Sequence, residues 1–327
     1  SIYNPAVQEH VAEQMRKGVE TNKDRGVFVY NLGDENNFST DIGKGPHELP
    51  KFREFLRNRY ADLDALNAAW GTDFATWDAV MPMDKSYADE TGRAAPYHDR
   101  CAFAEDHYAR YYEFAAEEIR KADPNALVGA EGSASGDLER TLRNLEFWSP
   151  YADRVHNALM RSVKPANWVG GNWWGGYAAT RTPDRNGENL WRQLLSGAAN
   201  SSWFFMVEHI EGIFAPDFQY ARYFEDGCLP DLRLIGGGIG QQINEMQMEN
   251  PGVYLYYSQA SRHAADIHGE FGNIATSSDA LLATFQEMGI AAPFITSRQV
   301  LAGRRTPARV KLLIMPAVLS SGPSDSE

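Results

Sequence analysis

Val27-Phe28-Val29-Tyr30-Asn31-Leu32-Gly33-Asp34-Glu35-Asn36-Asn37-Phe38 is the stretch that decides the fold. Its first half is apolar and rich in β-forming residues, which predicts a buried strand over 26–32. The stretch then breaks at a glycine into acids and amides. An α/β barrel places its catalytic side chains at the carboxyl ends of such strands. We therefore interpret Glu35 as a candidate catalytic carboxyl. The alternative is a surface loop in which Asp34 or Asn36 caps the next segment.

The same order, an apolar strand followed by polar side chains, recurs along the first two thirds of the chain. We predict further strands at 126–131, 154–160, 166–171 and 201–207, with helices between them. Alternating strands and helices indicate a parallel sheet or barrel. About five strands fall short of the eight in a (β/α)8 barrel. The sequence therefore predicts an α/β fold holding a partial TIM barrel, about strands 4 to 8, and we expect the first three strands to precede Ser1.

A second α/β unit is predicted after residue 248, where the composition changes. Strands are expected at 252–257, 292–296 and 310–315, and a helix at 277–288 carries its apolar residues on one face. This order is typical of the beginning of a flavodoxin-like domain. The predicted division is therefore a barrel portion over 1–248 and a second domain over 249–327.

The overall composition excludes several classes of function. The 327 residues carry a formal charge of −13, which argues against nucleic acid and anionic membrane surfaces as partners, since both require a basic face. No apolar run reaches the length of a transmembrane helix. The histidines and the two cysteines, Cys101 and Cys228, show no metal-binding spacing. We expect neither a metal nor a cofactor, and the sequence gives no indication of localisation.

One run has letters specific enough to suggest a family. Residues 63–74 read Leu63-Asp64-Ala65-Leu66-Asn67-Ala68-Ala69-Trp70-Gly71-Thr72-Asp73-Phe74, which resembles the LNxAWGTxF segment of the family-42 β-galactosidases. It follows a strand that ends in an acid cluster and a helix carrying Phe52-Arg53-Glu54-Phe55-Leu56, as in that family. The resemblance implies a TIM-barrel glycoside hydrolase acting on β-galactoside-like oligosaccharides. It also implies a flavodoxin-like trimerisation domain after the barrel, and hence a homotrimer or another homo-oligomer.

The same resemblance assigns the catalytic carboxyls. The family carries its acid/base Glu on the fourth strand and its nucleophilic Glu on the seventh, and the fourth-strand position corresponds to Glu35. Two departures stand out: Asp34 replaces the Asn that usually precedes the acid, and the predicted seventh strand ends without an acid in Gly170-Gly171-Asn172-Trp173-Trp174. Two other strand ends offer the second carboxyl, with Glu131 ranked first and Glu208 second.

Residues that could bind sugar surround these carboxyls. The Trp-Trp-Gly-Gly-Tyr run offers aromatic faces with space beside them, which suits a sugar platform, although packing in the core is an equally ordinary use of tryptophan. Nearby polar side chains could bond hydroxyl groups, or, for the acid beside Glu35, raise its pKa through like charge. The candidate substrate-binding residues are Asp34, Asn36, Asn172, Trp173, Trp174, Tyr177 and Arg181.

Three functions remain open from the sequence. The first is a retaining, exo-acting glycoside hydrolase with Glu35 as acid/base. The second is a catalytically degenerate relative that binds carbohydrate without cleaving it, suggested by the missing seventh-strand Glu. The third is a different hydrolase on the same barrel, since a fold does not fix a function.

Overall fold

The computed structural model of the chain describes residues 1–37, 39–132, 135–151, 154–164, 170–175, 182–195, 202–204, 213–215, 217–246, 250–269, 271–302 and 310–316. Its strands are β1 Tyr30–Asp34, β2 Val128–Glu131, β3 Phe147–Ser149, β4 Asn172–Gly175, β5 Ser202–Phe204, β6 Val253–Tyr257, β7 Phe294–Thr296 and β8 Leu312–Ile314. Its α-helices are α1 Pro5–Asn22, α2 Glu48–Arg59, α3 Leu63–Trp70, α4 Lys85–Thr91, α5 Ala95–Ala122, α6 Leu138–Thr141, α7 Arg154–Val163, α8 Pro183–Leu195, α9 Arg222–Gly227, α10 Leu229–Leu234, α11 Gly240–Glu245, α12 Gln259–His268, α13 Phe271–Glu287 and α14 Ser297–Leu301.

The strands of the first part form two parallel sheets, in the orders β1-β2-β3 and β4-β5. β4 begins beside β3, because a Cβ added to Gly171 would lie 2.6 Å from Cε2 of Phe147 and 3.1 Å from Cβ of Ser149. Parallel strands joined by helices confirm the predicted α/β class. The carboxyl ends of β1, β2 and β3 therefore meet at one edge of the first sheet.

Two predicted strands are misplaced in sequence. The strand predicted at 154–160 is wrong, because these residues begin helix α7, in which the four consecutive residues 157–160 are all buried. The strand lies earlier instead, at β3. Its three residues are all fully buried, so it shows no alternation that could mark it as a strand. β1 also begins later than predicted, and Phe28 is exposed.

The run that carried the family resemblance serves the scaffold. Asp62 caps helix α3 by accepting a hydrogen bond from the Ala65 backbone N–H at 2.8 Å, and the helix ends at Gly71 with φ of 64°. The Asn67 side chain then fixes the following turn: its Oδ1 accepts from the Phe74 backbone N–H at 3.0 Å, and its Nδ2 donates to the Phe74 carbonyl at 2.9 Å. Trp70 is fully buried.

A third parallel sheet, β7-β6-β8, follows the helical segment α9–α11. That segment bends at Gly238, whose φ is 121°. The third sheet shares its core with the first, since Leu255 and Phe294 pack in the same cluster as Val128 and Trp148. The division at residue 248 stays a prediction.

Helix α5 crosses this core and carries charged residues along its 28-residue length. None of the helices in the described ranges combines the length and the apolar character that a membrane span requires.

Candidate active site

Three neighbouring strands bring their carboxyl ends together at the predicted site. In the register of the first sheet Asp34 pairs with Glu131, and Glu131 pairs with Ser149. The chain continues this pairing beyond β1, because the Glu35 backbone N–H donates to the Glu131 carbonyl at 3.1 Å. The structure therefore brings Asp34, Glu35 and Glu131 together at one edge of the sheet.

Gly132 allows the two strand ends to approach this closely. Its φ is 75°, a conformation that residues with a side chain rarely adopt. A Cβ at this position would lie 2.3 Å from Oδ1 of Asp34, 2.6 Å from the backbone nitrogen of Glu35 and 3.0 Å from its Cγ. The glycine after Glu131 thus makes room for the acid cluster.

Glu35 has an unusual backbone that several contacts hold in place. Its φ is 51°, which is uncommon for a residue other than glycine and costs about 1–3 kcal/mol. The Asn37 Nδ2 donates to the Glu35 carbonyl at 3.0 Å, and the Tyr108 hydroxyl donates to the Asn36 carbonyl at 2.5 Å. The Tyr151 hydroxyl donates to Oε1 of Glu35 itself. Strained backbone of this kind clusters at functional sites, where the surroundings impose it.

The acids beside Glu35 are crowded enough to shift their protonation. Burial raises the pKa of Glu131, the negative charge of Asp34 raises it further, and a hydrogen bond donated by Asn31 Nδ2 to Oε1 of Glu131 opposes the rise. The pKa of Asp34 is raised as well, first by burial and then by the charge of Glu35. Glu131 and Asp34 therefore hold their protons to a higher pH than ordinary carboxyl groups do.

Four of the other predicted residues, Asn36, Asn172, Trp173 and Trp174, belong to the described part of the chain. Asn36 donates from Nδ2 to the Leu32 carbonyl at 3.4 Å, so its amide faces its own strand. β4 carries Asn172, Trp173 and Trp174, and the first two pair in register with Ser202 and Trp203 of β5. The remaining predicted residues, Tyr177, Arg181 and Glu208, lie outside the described residues.

Sequence reasoning missed Tyr151 and Asn31. Tyr151 comes two residues after β3, so the rule that located Glu35 would have found it if β3 had been placed correctly. Asn31 lies within β1, where the sequence predicted a buried strand residue, and its side chain bridges to the neighbouring strand end at Glu131. Its Oδ1 also accepts from the Gly33 backbone N–H at 2.9 Å.

The residues that the structure describes contain no group of three His, Cys, Asp or Glu side chains placed to hold a metal ion. Cys101 and Cys228 are both free and buried, and burial raises both thiol pKa values to about 12.

Comparison with known families gives one match. The family model Glyco_hydro_42, described as beta-galactosidase, matches residues 2–175. That range contains Glu35, Glu131 and Tyr151, together with β1 to β4. No curated protein matches the chain in sequence.

Comparison with solved structures shows the same fold at low identity. The β-galactosidase from the psychrophilic Marinomonas ef1 matches with a TM-score of 0.75 at 13% identity, covering 99% of this chain and 57% of that one. The β-galactosidase from Bacillus circulans sp. alkalophilus gives 0.75 at 15%, covering 96% and 51%. An exo-carrageenase of glycoside hydrolase family 42 from Bacteroides ovatus gives 0.66 at 17%, covering 96% and 49%. The chain spans about half the length of these solved relatives.

Proposed function

Because the chain belongs to glycoside hydrolase family 42, we propose that it hydrolyses O-glycosidic bonds of β-galactoside-like or related oligosaccharides with retention. Glu35 acts as the acid/base in this proposal and Glu131 as the second carboxyl. Two of the solved relatives are β-galactosidases by name and the third is an exo-carrageenase. These names guide the choice of substrates to be tested.

The observation that carries the proposal is the pairing of β1 with β2. Neighbouring strands lie about 4.8 Å apart, so carboxyls on adjacent strand ends can reach the separation of about 5–5.5 Å that retaining enzymes use, as against about 6.5–9.5 Å in inverting ones. The Asp34–Glu131 register and the Glu35 N–H to Glu131 hydrogen bond place the two glutamates on such ends.

Each group has a defined task in the reaction. Glu35 donates a proton to the leaving glycosidic oxygen and then removes one from the attacking water. Tyr151 orients the Glu35 carboxyl through its hydroxyl hydrogen bond. Glu131 attacks the anomeric carbon and must be ionised to do so. Because its pKa is raised, the acid limb of the pH profile lies above the pH at which an ordinary glutamate ionises.

The wider architecture is part of the same proposal. We infer that β1 to β5 are the fourth to eighth strands of a TIM barrel and that residues 249–327 begin a flavodoxin-like domain, which supports a homotrimer or another homo-oligomer. Trp173, Trp174 and Tyr177 form the sugar platform, and Asp34, Asn36, Asn172 and Arg181 bond sugar hydroxyls. Glu208 is the second candidate for the nucleophile.

The test is turnover of aryl β-galactosides by the wild-type protein and by Glu35→Gln and Glu131→Gln. Each variant keeps the side-chain volume and removes the ionisable group. Glu20→Gln on the exposed face of α1 controls for the substitution itself and retains wild-type activity. Loss of turnover in both site variants supports the assignment. Unchanged turnover in Glu35→Gln overturns it, and unchanged turnover in Glu131→Gln alone moves the nucleophile to Glu208.

A second candidate function rests on one feature of the sequence. Residues 170–182, which include all of β4, contain no Asp or Glu, whereas the family places its nucleophile at this strand. A relative that binds carbohydrate without cleaving it would fit that absence. Calorimetry with galactose and lactose separates the two functions, since binding without turnover supports the second and turnover of any glycoside rejects it.

A further inference from the structure

An extra residue in strand β1 decides which side chains share a face with Glu131. Asn31 pairs with Gly129 and Asp34 pairs with Glu131, so β1 advances by three residues where β2 advances by two. Side chains alternate between the two faces of a sheet, and a regular strand would turn Asn31 and Asp34 to opposite faces. The bulge brings both onto the face that carries Glu131. Bulges beside active sites re-aim side chains in this way.

The amide of Asn31 is held in one orientation by its own strand. The Gly33 backbone N–H donates to Oδ1 of Asn31 at 2.9 Å. A backbone N–H can only donate, so the amide oxygen must face it and the NH2 group must point elsewhere. That NH2 group donates to Oε1 of Glu131. Gly33 has φ of 134°, which a residue with a side chain rarely adopts, so a glycine suits the bend that presents this N–H.

The contacts of Glu131 act on its charge in opposite directions. Burial raises the pKa of Glu131, the hydrogen bond from Asn31 lowers it, and the negative charge of Asp34 raises it. On the side of β3 the residue in register is Ser149, which carries no charge. Among the side-chain contacts in the described part of the chain, the amide of Asn31 is therefore the one that favours the charged form of Glu131.

We propose that Asn31 is a positioning residue for the reaction, whose amide holds the carboxylate of Glu131 in its charged form and engages Oε1, so that Oε2 is the attacking oxygen. This inference rests on the proposed function, in which Glu131 is the nucleophile. An electron pair of Oε2 forms the bond to the anomeric carbon, the glycosidic C–O bond breaks, and the leaving oxygen takes the proton of Glu35.

The second step returns the charge to the same contact. Water attacks the anomeric carbon and gives a proton to Glu35, while the bond to Oε2 breaks and its electron pair returns to Glu131. The amide of Asn31 again donates to the carboxylate that is released. An amide is neutral and remains a donor throughout, so it supports the charge in both steps without adding another acid to the site.

The test is a pH titration of the Glu131 carboxyl by ¹³C NMR, in protein labelled at the glutamate side-chain carboxyl carbon, with Glu131→Gln to identify its signal. Asn31→Asp keeps an acceptor for the Gly33 N–H and replaces the donor by a carboxylate oxygen. We expect Glu131 to keep its proton to a higher pH in this variant than in the wild type. Asn31→Ala removes the donor without adding a charge and should act in the same direction. Asn58→Asp, at an exposed position of α2, adds the same charge elsewhere and leaves the titration unchanged.

An unchanged titration of Glu131 in both Asn31 variants overturns the proposal. Circular dichroism checks that each variant is folded. If Asn31→Ala is misfolded, Asn31→Asp decides the matter, because it retains an acceptor for the hydrogen bond from Gly33.

The pH profile of kcat/KM for an aryl β-galactoside connects this contact to the reaction. The acid limb should move to higher pH in both Asn31 variants, so that kcat/KM measured below the limb falls about threefold to tenfold. A purely structural role would lower the whole profile without moving the limb, and that result overturns the proposal. A shifted titration of Glu131 in a protein whose wild type turns over no glycoside overturns the proposed function alone, so the two failures are distinguishable.

Discussion

Replacing Gly132 by alanine tests the geometry of the acid cluster without touching a carboxyl. The added Cβ faces two separate costs. The first is the positive φ of 75°, which costs a residue with a side chain about 1–2 kcal/mol. The second is the clash with Asp34 Oδ1 at 2.3 Å and the Glu35 backbone nitrogen at 2.6 Å, and relieving overpacking of this kind costs about 1–3 kcal/mol.

Gly92 offers a matched control. It ends helix α4 with φ of 69°, and an added Cβ there meets nothing within 4 Å. Gly92→Ala therefore carries the backbone cost alone, and the change in the unfolded chain is common to both variants. We expect Gly132→Ala to lower the free energy of unfolding by about 2–5 kcal/mol, and Gly92→Ala by about 1–2 kcal/mol.

Urea unfolding of the two variants and the wild type measures this difference directly. A shift in midpoint without a change in slope gives the two free energies on the same scale. If Gly132→Ala is no less stable than Gly92→Ala, then Gly132 does not pack against Asp34 and Glu35, and the strand ends do not approach as described. In that event the pairing of the two glutamates fails as well.

Three further predictions follow from individual contacts. Tyr151→Phe removes the hydroxyl that donates to Glu35 and should lower kcat about tenfold with the fold intact. The pH profile of kcat measures the first effect, and a circular dichroism spectrum checks the fold. An unchanged kcat contradicts a positioning role for Tyr151. Glu131→Gln should raise Tm above that of the wild type, and the increase should be larger at pH 7 than at pH 4. The reason is that the raised pKa of Glu131 makes the wild type lose stability as the pH rises through that pKa. An equal increase in Tm at both pH values would refute this. Asn67→Ala breaks three hydrogen bonds of the turn after α3 and should lower the free energy of unfolding in urea by about 2–4 kcal/mol. The control Asn58→Ala, at an exposed position, should change that free energy little. Similar decreases in both variants would contradict the scaffold role of Asn67.

The parts of the fold that could be predicted from sequence are those with a local signal. The β1 stretch was found because an apolar run changes abruptly to acids, and both Glu35 and Glu131 followed from the position of such a change. Helix α3 has a local signal of the same kind, because its apolar residues are spaced for a helix and Gly71 marks its end. These features depend on neighbours along the chain, which a sequence shows directly.

The parts that escaped prediction depend on contacts between distant residues. The three residues of β3 are fully buried, so no alternation of buried and exposed side chains marks them as a strand. The hydrogen bond from Tyr151 to Glu35 joins residues 116 positions apart. Only the pairing of β1, β2 and β3 brings them together.

The motif that indicated the family has a structural meaning that its letters did not reveal. Asn67 ties the helix to Phe74, and Trp70 fills the core and donates from Nε1 to Asp99 at 2.7 Å. Such a run identifies the scaffold of family 42 but contributes no group to the reaction. Membership of the family and the chemistry of this chain therefore require separate evidence.

The role of Glu35 as the acid/base of a retaining glycosidase is tested by the turnover of an aryl β-galactoside by Glu35→Gln and by the wild type at the same pH. The proposal predicts that kcat/KM falls by about 10²–10⁴ for a leaving group that needs protonation, while Glu20→Gln keeps the wild-type value. Equal turnover by Glu35→Gln and the wild type would contradict it.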